Sequence, residues 1–147
     1  MNILVVHGPN LNLLGRREPE IYGRRSLAEI DKELTHLGLE LDIVVDCVQS
    51  NHEGELIDRI QSSDHIQGFL INPGGLGHTS VALRDALLAV DRPFVEVHCS
   101  NPARREPFRR RSLLSDAAVG VVSGFGPQSY LLGLRALVGF LRENDRS

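Results

Sequence analysis

Lysine is almost missing from this 147-residue chain: fifteen of its sixteen basic residues are arginine, and Lys32 is the exception. A mechanism that needs an imine-forming amine therefore has one candidate. In SLAEIDKELTHL the apolar face is made by Leu27, Ile30, Leu34 and Leu37, and Lys32 falls on the opposite side. Imine chemistry is set aside on that ground. Cysteine is scarce too: Cys47 and Cys99 have no CxxC spacing, which fits neither a disulfide scaffold nor a zinc knuckle and suggests a reducing compartment. With no tryptophan, two tyrosines and five phenylalanines, the chain has few rings on which nucleic-acid bases could stack. The net charge of −3 likewise argues against a nucleic-acid partner. No apolar run approaches a membrane span, and NILVVHGPN lacks a basic leader and reads as a first strand. The expectation is one soluble, cytoplasmic domain over residues 1–147, with no membrane and no nucleic acid as partner.

Several site motifs are absent as well. GxGxxG does not follow an early strand, and GLGHTS has no lysine after its glycines, so dinucleotide and P-loop sites are excluded. A phosphoacceptor receiver would carry acidic residues where this chain has His7 and Asn72. There is no GxSxG elbow around Ser80 or Ser100. His7, His78 and His98 could converge in space, but none has the spacing of HExxH, and a metal is not expected.

What the chain does have is alternation. Strand patterns fall at ILVVH, LDIVVDCV, IQGFLIN, PFVEVHC and AVGVVSG, and helical patterns at about 27–38, 53–62, 79–89 and 128–142. Ser26 followed by Glu29 marks the first helix start, Thr79 or Ser80 the third, and the residues after the last helix read as a frayed tail. Strands separated by helices imply right-handed crossovers and a five-stranded parallel sheet covered on both faces, an α/β three-layer sandwich. Ligands of such folds bind outside the carboxyl ends of the strands. Those ends are HGPN, QSN, INPGG, HCSN and SGFG, rich in asparagine, histidine and glycine.

These ends describe an acid/base site for a small anion. INPGGLGHTS places a glycine-rich turn ahead of a helix, where free N–H groups can receive a carboxylate, and HCSN can add backbone donors. RREPFRRR at 104–111 supplies arginines; most read as solvated or interfacial, and Arg109, after the apolar Phe108, is the best ligand contact. GRREPEIYG at 15–23 reads as a polar loop ending in Tyr22. A neutral phenol is a poor base, but an arginine beside it favours the phenolate, and Arg17 is close enough in sequence to fold over the strand ends with Tyr22 as a lid. Tyr130, at a helix start, reads as core or interface.

GPNLNLLGRREPEIYG, CVQSNHEGELIDRI, INPGGLGHTSVALRDAL, EVHCSNPARREPFRRRSLLS and GVVSGFGPQSYLLGL together resemble the type II 3-dehydroquinate dehydratases nearly end to end. The resemblance implies a flavodoxin-like fold, a homododecamer of four trimers, no cofactor, and dehydration of 3-dehydroquinate to 3-dehydroshikimate. Carried over by motif, Tyr22 is the base at C2, and Arg17 assists it and closes with it. Asn10 holds a water that stabilises the enolate. His98 is the acid and Glu96 orients it. Asn72 with the amides of Cys99 and Ser100 receives the carboxylate, His78 and Arg109 bind ring hydroxyls, and Asp85 enters from a neighbouring subunit. Gly77, Ala103, Leu113 and Ser129 depart from the family pattern, where threonine, histidine, tyrosine and glycine are common; Gly77 is expected to loosen the turn before His78. Two other classes remain in view, a non-enzymatic small-anion sensor on this fold and an RNA-binding module using the arginine block.

Overall fold

A computed structural model describes residues 1–145. Five parallel strands, β1 (Asn2–His7), β2 (Val44–Gln49), β3 (Gly68–Asn72), β4 (Phe94–His98) and β5 (Gly120–Ser123), form one sheet in the order β2-β1-β3-β4-β5. The helices are α1 (Pro19–Tyr22), α2 (Leu27–Glu40), α3 (Glu53–Gln61), α4 (Leu76–Thr79), α5 (Val81–Val90) and α6 (Gln128–Asp145). Helices α2 and α6 cover one face through Ile30, Leu34, Leu134 and Leu137, and α3 and α5 cover the other through Leu56, Ile60, Leu83 and Leu87. This is the flavodoxin-like sandwich. Each such fully buried aliphatic side chain contributes about 1.5–3 kcal/mol relative to exposure. No helix among the described residues is long and apolar enough to cross a membrane.

All five strands and four longer helices stand near their expected positions, with physical reasons for the differences. LDIVVDCV loses its first three residues because the Leu41 N–H still bonds Leu37 and Asp42 turns with φ 57°. The third helix starts at Ser80, whose Oγ accepts from the Leu83 N–H at 2.9 Å, and the residues before it coil into the separate turn α4. The expected frayed tail is helical through Asp145, and its last two residues, 146 and 147, lie outside the described residues. The lid is not wholly irregular either. Its centre is the single helical turn α1, begun by Pro19 after a left-handed Glu18 at φ 40°.

The order reverses between β1 and β3, and the loops after these strands meet there. The Gly8 N–H donates to the Asn72 carbonyl at 2.8 Å, and a Cβ on Gly8 would stand 2.2 Å from the Pro73 oxygen. Gly8→Ala must therefore push the two loops apart. The expected result in urea denaturation is a loss of roughly 3 kcal/mol, an overpacking effect against rigid backbone; an unchanged midpoint would refute this close approach.

Candidate active site

The sheet brings most of the expected residues to one cleft of about 170 Å³ at the carboxyl ends of the strands. Asn10, Arg17, Tyr22, Asn72, His78, His98, Cys99, Ser100 and Arg109 all line it. Two of the named residues do not. Glu96 lies behind His98, and Asp85 stands exposed on α5, outside the cleft lining. A larger groove of about 550 Å³ between α2 and α6 shares no lining residue with this cleft and includes Lys32. Size therefore does not locate the chemistry, and the lone lysine lies away from it.

Tyr22 sits at the mouth, partly packed on the core. The Arg17 and Arg105 guanidinium carbons lie 5.3 and 5.0 Å from its ring centroid. The sequence reading paired Tyr22 with Arg17 and missed Arg105. Pro102 starts a 3-10 turn over Pro102–Arg104 that swings Arg105 inward, where Nη1 donates to Ser100 Oγ at 3.4 Å. The bracketing prolines 102 and 107 were the available signal. Arg109 is in the lining, but its support differs from expectation. Phe108 is 66 % exposed and so is no buried anchor, though the Arg109 guanidinium carbon lies 5.2 Å from its ring centroid; Arg109 is also fixed by Glu106 Oε2, 2.6 Å from its Nε.

His98 and Glu96 form a buried pair, with Nε2 and Oε2 2.5 Å apart. The other Glu96 oxygen accepts from Ser112 Oγ and Ser115 Oγ, each at 2.9 Å. Those serines were not singled out from sequence, although spacing of i and i+3 in a turn places two hydroxyls on one side. Burial opposes charge on Glu96, but the hydrogen bond and charge of His98, with both serine donors, hold its carboxyl below the ordinary range. With the folded value lowered, the stabilisation is fully present above the ordinary value of 4.5 and is lost as pH falls through the folded value. Glu96→Gln should therefore flatten the acid limb of a stability-versus-pH curve measured by thermal melting. An equally steep limb in the variant would contradict the assignment.

His78 has its rings stacked 6.4 Å from those of His98, and its Nδ1 donates to the Arg111 carbonyl at 2.7 Å, which leaves Nε2 for a ligand. Gly77 does not loosen this turn. It is buried, its carbonyl accepts from the Leu113 N–H at 2.7 Å, and a Cβ would lie 2.8 Å from Pro73 Cγ. The turn's amides are also used internally: Leu76, Gly77 and His78 donate to the carbonyls of residues 73, 74 and 75. These three amides are therefore not free for an anion at this helix start. Asn72, Gly74, Gly75, Cys99 and Ser100 line the cleft around this turn.

Asn10 is left-handed at φ 69°, and its N–H donates to Asn51 Oδ1 at 2.9 Å, so the QSN end of β2 holds the first loop. Ser129, which replaces a glycine of the family pattern, accepts from the Phe125 N–H at 3.0 Å and ties the loop after β5 to α6. Nothing in the structure gives the Ala103 side chain a particular role. Burial pushes the Cys99 thiol up to about 12, which leaves it a protonated neighbour of the cleft and no nucleophile.

The three histidines considered together do not meet. His7 points to the opposite side of β1, where Asp31 and Cys47 lie near it, and these are the one cluster of three metal-capable groups among the described residues. His7 Nε2 is 2.7 Å from Asp31 Oδ1 and Nδ1 is 2.8 Å from Tyr130 Oη, so both ring nitrogens already have partners.

The arrangement offers a phenol beside two cations, an imidazole backed by a buried carboxylate, and amide-bearing residues at one small cleft. A family model described as dehydroquinase class II matches residues 1–138. The chain is 54 % identical over 146 residues to the 3-dehydroquinate dehydratase of Prochlorococcus marinus strain MIT 9301, covering 99 % of each chain. It is 55 % identical over 145 residues to that of Parasynechococcus marenigrum strain WH8102, covering 98 % of this chain and 99 % of the other. Its structure is similar to that of the type II dehydroquinase from Butyrivibrio crossotus DSM 2876, with a TM-score of 0.91, 41 % identity, and 93 % and 97 % of the two chains covered.

Proposed function

The chain belongs to the class II dehydroquinase family and catalyses the dehydration of 3-dehydroquinate, a step of the shikimate route; from that premise we propose that Tyr22 and His98 carry the proton transfers. The observation that supports this most is the approach of both Arg17 and Arg105 to the Tyr22 ring in the cleft that His98 also lines.

In this reading the Tyr22 oxygen, with the Arg17 and Arg105 guanidinium groups beside its ring, removes a proton from C2 beside the ketone. Charge moves to the ketone oxygen, where a water held by Asn10 meets it. His98 then gives a proton to the C1 hydroxyl, which leaves as water with the C1–O bonding pair, while the enolate electrons form the C1–C2 double bond. The Glu96 carboxylate neutralises the imidazolium that delivers this proton. Asn72, with the Cys99 and Ser100 amides, takes the substrate carboxylate, and His78 and Arg109 take the ring hydroxyls. No cofactor enters these steps. Lid closure by residues 15–23 excludes water and strengthens each charge interaction.

The assembly we propose is a dodecamer of four trimers in the cytoplasm. Val81 and Leu88 are 58 % and 48 % exposed on α5, at i and i+7 around Asp85, which makes an apolar face on which another subunit can pack. Such packing would carry Asp85 into a neighbour's cleft. The test of the activity is ultraviolet absorbance after the protein is added to 3-dehydroquinate, since the product is a conjugated enone and the substrate is not. Rising absorbance is expected; binding with a flat trace would favour the sensor reading.

A further inference from the structure

A buried hydrogen-bonded chain leads from the cleft, along the face of the sheet that α2 and α6 cover, to the surface beside α2, and the proton transfers above do not use it. Its members are Asn72, Tyr130, His7 and Asp31, from four different elements. Tyr130 and His7 are both 0 % exposed, and the Asp31 side chain is 32 % exposed.

One arrangement of protons satisfies every link. Asn72 Oδ1 accepts from the Gly74 N–H at 3.2 Å, so Nδ2 is the atom that faces Tyr130, and it donates to Tyr130 Oη at 3.0 Å. The Tyr130 proton then points to His7 Nδ1, 2.8 Å away. With Nδ1 as acceptor, the ring proton sits on Nε2 and is donated to Asp31 Oδ1 at 2.7 Å. The carboxylate is itself held by the Cys47 thiol, which burial first and Asp31 second keep protonated. Burial also pushes Tyr130 well above the usual phenol range, which keeps it a neutral group able to accept and donate at once.

The geometry points to Asp31, His7 and Tyr130 as positioning residues for Asn72: the surface carboxylate selects the His7 tautomer, which orients the Tyr130 hydroxyl, which fixes the Asn72 amide. The choice matters because the two ends of an amide have opposite polarity. Held as it is, Asn72 keeps an N–H for an anionic group in the cleft; flipped, it presents an oxygen and repels that group. This inference rests on the dehydratase reading of the cleft.

The test is steady-state kinetics on 3-dehydroquinate for Asp31→Leu, Tyr130→Phe and Asn72→Ala, and for each of the first two combined with Asn72→Ala. Asp31→Leu is expected to raise KM about fivefold and Tyr130→Phe about tenfold, with kcat held within about twofold. Both effects should vanish in the Asn72→Ala background, since they act through that amide. Asp31→Glu, which restores the carboxylate, should return KM toward wild type. Full KM penalties in the absence of Asn72, or an Asp31→Leu variant that loses only thermal stability, would overturn the proposal. Asp31 is partly exposed, so Asp31→Leu answers the question even where Tyr130→Phe does not fold. A wild type without turnover would refute the dehydratase reading itself, whereas an active wild type with unshifted variants refutes only the relay.

Discussion

Tyr22→Phe should lower kcat for 3-dehydroquinate by roughly 10³-fold and leave KM within about threefold. The substitution removes one oxygen from a ring that packs partly on the core and at the lid's end, so folding and lid geometry have little reason to change. What is lost is the group that accepts the C2 proton. Arg17 and Arg105 would remain beside the ring, with no oxygen on it to take the proton. Stopped-flow absorbance of the enone gives kcat, and equilibrium binding of substrate to the variant gives the affinity. A fall in affinity that matches the fall in rate would mean that Tyr22 binds and does not catalyse.

His98→Asn is expected to lower kcat by roughly 10²–10³-fold, with KM little changed. His98 is 8 % exposed and its Nε2 is engaged by Glu96, so the ring is held by one edge and its other edge is left for the cleft. An asparagine keeps a polar group near Glu96 but cannot carry a proton to a departing hydroxyl. The two variants should differ in kind. Loss of Tyr22 stops the reaction before the enolate, whereas loss of His98 stops it after, because the enolate can form and return while the hydroxyl stays in place.

Much of this was legible in the sequence because period and punctuation agree. Alternating strand and helix patterns gave the parallel sheet, and the polar strand ends gave the position of the cleft, since parallel strands align their carboxyl ends on one side. What escaped was what long-range contacts decide. The turn α1 depends on a left-handed Glu18, which composition does not signal. Arg105 reaches Tyr22 because the chain coils at Pro102, and although Pro102 and Pro107 mark turns around the block, they do not say which of its five arginines is turned inward. The amides of GGLGHT looked free because the sequence does not show that they bond within their own turn. His7 went to the wrong group because the side of the strand to which it points depends on register, and a step of one residue reverses every side chain.

Exchange of the C2 proton of 3-dehydroquinate in deuterated water, followed by proton NMR beside enone absorbance, tests most directly the claim that Tyr22 is the base and His98 the acid. The account predicts both exchange and enone with wild type, neither with Tyr22→Phe, and exchange without enone with His98→Asn. Enone production by Tyr22→Phe at the wild-type rate would contradict it.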